Sequence, residues 1–142
     1  MNKNKSTFRD LFMDALKSYK KKDFKTAKIL CSKILSIDSN HCESLILLAN
    51  ISAINKDFKQ SKQLLSKAID IQPKNVSVLN NLGTACKELK QLEDAISYYK
   101  KAIQIDPNNT NAHYNLGLIY YGLKEIKKAK SYLEKTTKLQ PN

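Results

Sequence analysis

Apolar residues recur every three or four positions along most of the chain, and short polar breaks interrupt them at regular intervals. Leu79, Leu82, Cys86 and Leu89 form one such series. After the break "KQ" at 90–91 a second series runs through Leu92, Ala95, Ile96, Tyr99, Ala102 and Ile103. This spacing lines up one stripe of side chains on one face of an α-helix. The series stops at "IDPNN", residues 105–109, where proline cannot extend a helix and Asn-Asn suits a turn and the next N-cap. The pattern predicts helix A, a short turn, helix B and another short turn, with connections so brief that neighbouring helices must run antiparallel.

The whole pattern repeats with a period of 34. "NLGTACKE" at 81–88 is in step with "NLGLIYYG" at 115–122, and the register extends to the rest of the chain. Gly83 and Gly117 share a column with Ala15 and Ala49. Ala27, Ser61, Ala95 and Ala129 form another, and Phe24, Phe58, Leu92 and Ile126 a third. Ile37, Ile71, Ile105 and Leu139 align, as do Ser39, Pro73, Pro107 and Pro141. Four units follow, about 8–41, 42–75, 76–109 and 110–142, forming one domain over 8–142 behind a basic tail at 1–7. Glycine inside a helix costs about 1 kcal/mol relative to alanine, so its recurrence needs a cause. Alanine at the same place in the first two units points to a volume limit rather than a need for positive φ. The column is expected where helix A crosses helix B of its own unit, with the Ala27 column opposite it letting the two backbones approach.

These columns resemble the tetratricopeptide repeat (TPR), whose pattern sets a large residue, Leu-Gly and Tyr in helix A, then Ala, a large residue, Ala and Pro in helix B. The third unit reads Leu79, Leu82-Gly83, Cys86, Ala95, Tyr99, Ala102, Pro107. The fourth reads His113, Leu116-Gly117, Tyr120, Ala129, Leu133, Thr136, Pro141. The second is looser, and the first departs most, with Asp14 at the leucine place and Ser39 at the proline place. The resemblance implies an all-α, right-handed superhelical solenoid of antiparallel helix pairs with no β-sheet, its A helices lining a concave groove. It also implies a protein–protein interaction scaffold or adaptor that holds an extended or helical segment of a partner in that groove.

Counting along helix A, the places expected to face the groove hold Phe12, Met13, Leu16, Tyr19, Ile46, Leu47, Asn50 and Ile54 in the first two units. In the last two they hold Asn80, Asn81, Thr84, Lys87, Asn111, Tyr114, Asn115 and Tyr121. One end is apolar and the other rich in amides and phenols. An asparagine amide both donates and accepts, so it can hold an extended backbone of any sequence. Asn81 and Asn115, one period apart, resemble the asparagine ladder of peptide-binding TPRs. The cationic clamp of TPRs that take a C-terminal carboxylate is not matched: Ile46, Asn111 and Asn115 stand at its charged places.

Composition adds a net charge of +12, carried by 24 lysines and Arg9. Lysine, asparagine and isoleucine together are what A/T-rich codons supply, which makes the charge a compositional trait before it is a ligand signal. The runs "KSYKKKDFKTAK" at 17–28 and "KEIKKAK" at 124–130 fall in A–B turns and on helix B. Only Tyr19 and Phe24 stand among them, and they lack the guanidinium forks that read phosphates and bases, which argues against nucleic acid. His41 and His113 belong to no metal pattern and there is no Gly-rich phosphate loop, so neither catalysis nor a cofactor or metal is expected. Cys31, Cys42 and Cys86 have no CxxC spacing and suit reduced thiols of a cytoplasmic protein, and no apolar run is long enough to insert in a membrane. Leu118, Tyr121 and Tyr132 are expected to be partly uncovered at the last repeat. Either the natural chain continues past Asn142 or that end pairs with a second copy, giving self-association as the alternative function.

Overall fold

A computed structural model of the chain describes the backbone of residues 2–140 and the side chains of residues 7–140. Eight α-helices follow one another: α1 (Asn2–Lys20), α2 (Phe24–Ile37), α3 (Cys42–Ile54), α4 (Phe58–Ile71), α5 (Val76–Glu88), α6 (Leu92–Ile105), α7 (Thr110–Gly122) and α8 (Ile126–Leu139). No strand occurs among the described residues. The helices pair as the period predicts, α1 with α2, α3 with α4, α5 with α6 and α7 with α8. The chain divides into two compact units, Met1–Pro73 and Lys74–Asn142, where the sequence suggests one domain. α1 starts at Asn2 and so runs into the stretch expected to be a tail.

Each A–B turn is built the same way. Lys22, Lys56, Lys90 and Lys124 sit in the left-handed region with φ of 62°, 61°, 62° and 60°. In each turn the lysine N–H bonds three residues back, and the next N–H bonds five residues back, as in Lys90 to Lys87 O and Gln91 to Cys86 O. That is a Schellman stop, and glycine is its usual residue. The residue after the lysine is already the N-cap of helix B. Asp23 and Asp57 accept there from Thr26 N and Gln60 N, whereas Gln91 and Glu125 make no side-chain cap bond. The B–A turns end on His41, Asn75 and Asn109, whose side chains accept from Ser44 N, Val78 N and Ala112 N.

The small column lies at the A–B crossing, where it accommodates a large side chain in each of the last two units and, at Gly117, the Ala129 backbone carbonyl as well. A Cβ on Gly83 would lie 2.7 Å from the Tyr99 ring, and one on Gly117 would lie 2.6 Å from Leu133. Neither glycine has positive φ. Ala15 and Ala49 are fully buried in the same column. Tyr99 is also fully buried, with its hydroxyl 2.9 Å from Thr84 Oγ1.

α1 explains why the first repeat departs from the pattern. Asp10, Asp14 and Lys17 are exposed and occupy columns filled elsewhere by buried residues such as Val78, Leu82 and Ile119. This face of α1 is polar, with a Lys17–Asp14 ion pair along it.

Candidate functional site

In the first unit the apolar A-helix face is partly its own core. Phe12, Leu16 and Tyr19 are half-buried and pack on a cluster of Ala15, Ala27, Cys31, Leu47, Leu48 and Ile51. Leu47 is therefore interior and not a groove residue as the place count suggested. α3 is apolar nearly all round and lies against both α2 and α4, so its sixth place has no open side. Ile46 and Asn50 are half-buried, while Met13 and Ile54 are exposed. His41 and Cys42, adjacent in sequence, serve as the N-cap of α3 and as a buried thiol 3.8 Å from Ala68 O.

In the second unit the amides are joined to one another. Lys87 Nζ donates to Asn115 Oδ1 at 2.7 Å, and Asn115 Nδ2 donates to the Asn111 carbonyl and side-chain oxygens, both at 3.0 Å. Asn115 is buried by this arrangement, with 9% of its surface exposed. Asn80 Nδ2 donates to Asn109 Oδ1 at 3.0 Å, and Thr84 Oγ1 bonds the Asn80 carbonyl at 3.1 Å. Asn81 is half-buried; Tyr114 and Tyr121 are exposed. The structure thus brings Lys87, Asn111 and Asn115 into one relay. Sequence reasoning placed all three on the groove face but did not anticipate that they bond each other, because a place count gives direction and not length. It also missed the left-handed lysines, although their 34-residue column is visible as "KD", "KD", "KQ" and "KE".

Burial pushes the Cys31 thiol up to about 11 and the Tyr99 phenol up to about 12. Cys42 is raised as well, mainly by burial. Among the described residues no three His, Cys, Asp or Glu side chains converge to hold a metal, and no helix is long and apolar enough to cross a membrane.

Family models match along the chain. One described as tetratricopeptide repeat covers residues 110–142, one described as TPR repeat covers 83–124, and one described as anaphase-promoting complex, cyclosome, subunit 3 covers 20–102. The chain belongs to the tetratricopeptide repeat family. Its TPR fold is an all-α helical-repeat solenoid shared with solved structures of MamA. One of these is 26% identical over 99% of this chain and 75% of that one, with a TM-score of 0.88. A second, MamA from residue 41 to the end from Desulfovibrio magneticus RS-1, is 22% identical over 93% of this chain and 75% of that one, with a TM-score of 0.87. The Thermobaculum terrenum O-GlcNAc transferase is 22% identical over 84% of this chain but only 23% of its own, with a TM-score of 0.77. No curated protein sequence matches the chain. As a TPR protein it is a protein–protein interaction scaffold.

Proposed function

We propose that the A-helix face of this TPR chain holds an extended or helical segment of a partner protein. The observation that carries this reading is the polar face of α5 and α7, where Lys87, Asn111 and Asn115 are already linked and Tyr114 and Tyr121 stand exposed beside them. A partner backbone entering there exchanges the internal amide bonds for its own C=O and N–H groups, which needs no particular partner sequence. Phe12, Leu16, Tyr19 and Ile46 supply the first unit's apolar contacts and Asn50 a polar one, and Asn80, Asn81, Thr84 and Lys87 supply the second unit's polar ones. The chain then acts as a cytoplasmic, non-catalytic adaptor with no cofactor.

The test is affinity capture with the wild-type chain and with Asn81→Ala/Asn115→Ala, followed by mass spectrometry of what is retained. The double variant should retain markedly less partner at unchanged helical content. Equal retention by both proteins would remove the amides from the mechanism. Self-association through repeat 4 is a second reading, favoured by the exposure of Leu118 and Tyr121 and opposed by the lysine excess around them. A sedimentation coefficient that rises with concentration would establish it.

A further inference from the structure

The polar face of α5 and α7 carries one ammonium, and its partner is an amide. Lys87 is the single lysine of α5, and α7 contains no lysine, arginine, aspartate or glutamate. In the other three units its column holds Tyr19, Ala53 and Tyr121. A lysine head ordinarily ends in water. Lys87 is half-buried, and its Nζ reaches across to α7 to donate to Asn115 Oδ1 at 2.7 Å. Among the described residues no carboxylate pairs with it: Glu88, the one acid of α5, is exposed and makes no ion pair.

Asn115 fixes this ammonium in place. Both of its polar atoms are engaged, Oδ1 by Lys87 and Nδ2 by the carbonyl and side-chain oxygens of Asn111, and it is buried among them. Asn111 is exposed, and its own NH₂ group donates to no other described residue. The relay therefore presents donors at both ends: two of the three hydrogens of the Lys87 ammonium and the amide hydrogens of Asn111. Donors next to a half-buried positive charge select an acceptor with negative charge. An ionised carboxylate only accepts, and its bond to an ammonium is charge-assisted.

We propose that Lys87 selects the partner by pairing with an aspartate or glutamate side chain of the segment held on the α5–α7 face. Asn115 acts as the positioning residue for its ammonium, and Asn111 offers a second, neutral donor. This inference rests on the groove reading above and narrows the partner to an acidic segment. The carboxylate is that of a side chain and not of a chain end, because Asn111 and Asn115 stand at charged places of the C-terminal clamp.

The probe is a library of short random peptides displayed on phage and panned against the full chain and against Lys87→Met. Peptides enriched by the wild type should share an aspartate or glutamate at one fixed place, and Lys87→Met should not enrich them. One selected peptide is then synthesised with an amidated C terminus and titrated by fluorescence anisotropy. Changing its acid to the matching amide should weaken binding to the wild type at least about tenfold. The same change should matter little to Lys87→Met, whereas Lys100→Met, which removes an exposed charge on α6, should keep the full discrimination. Asn115→Ala should shrink the acid-to-amide ratio at unchanged helical content, and an unchanged ratio would overturn its positioning role. Wild-type peptides without a shared acid, full discrimination by Lys87→Met, or lost discrimination in Lys100→Met would overturn the role of Lys87 and leave the groove reading standing. A library that yields no peptide for the wild type would overturn both. A dimer in sedimentation velocity that Lys87→Met dissolves would assign the ammonium to a second copy and overturn the proposal as well.

Discussion

A glycine column reports the size of the residue opposite it. Gly83 faces the ring of Tyr99, which is locked by burial and by its bond to Thr84, whereas Gly117 faces Leu133, a smaller and half-buried side chain. Gly83→Ala should therefore lower stability by about 1–3 kcal/mol through overpacking, despite alanine's better helix propensity. Adding Tyr99→Leu reproduces the Ala49 and Leu65 pairing of the second repeat and should recover part of that loss. Urea melts of the single and double variants give the two values, and a Gly83→Ala chain as stable as the wild type would refute the volume limit. Period and residue type made this position legible in the sequence. The identity of the nearest neighbour of Gly83, the Tyr99 ring, was not, because that depends on the rotamer Tyr99 adopts in the folded core.

The eight helices are stopped and started by a device that propensity rules do not anticipate. A non-glycine residue in the left-handed region costs roughly 1–2 kcal/mol, yet lysine holds that place in all four A–B turns. The two Schellman bonds and the immediate N-cap of the next helix hold the conformation. Because Gln91 lacks the side-chain bond that Asp57 makes, Gln91→Asp should add about 0.5–1 kcal/mol to the second unit. A thermal melt that does not rise would show that the cap is satisfied in another way. Helix boundaries could be placed from Pro107, the asparagines and the polar breaks. The interior position of Leu47 could not, since α3 has no polar face to orient it.

For the molecule as a whole, two buried acids set a limit at high pH. Cys31 in the first unit rises from 9.0 to about 11 and Tyr99 in the second from 10.0 to about 12. A folded-state pKa raised in this way means that the native state keeps its proton longer than the unfolded chain does. Its stabilising contribution is complete below the unfolded value and is lost as pH climbs through the folded one. Stability should fall between about pH 9 and 12, with the first unit affected at the lower end, and Tyr99→Phe should blunt the later part of the fall. Circular dichroism melts across that range measure it, and a flat profile would contradict the burial argument. Alkylation of Cys31 at neutral pH should likewise be slow until the first unit unfolds, because little thiolate is present.

Period, helix pairs, turns and the small-residue column were all written in the one-dimensional pattern, because each depends on residue type at a fixed spacing. Even the polar face of α1 could be anticipated from Asp14 in a leucine column. The tertiary structure alone decided which polar groups find one another: Lys87 with Asn115, Asn80 with Asn109, and His113 left with one nitrogen unsatisfied. Those pairings depend on distances of 2.7 to 3.0 Å between side chains 28 or 29 residues apart. A repeat pattern sets the direction of a side chain, and only the packed chain sets how far it must reach.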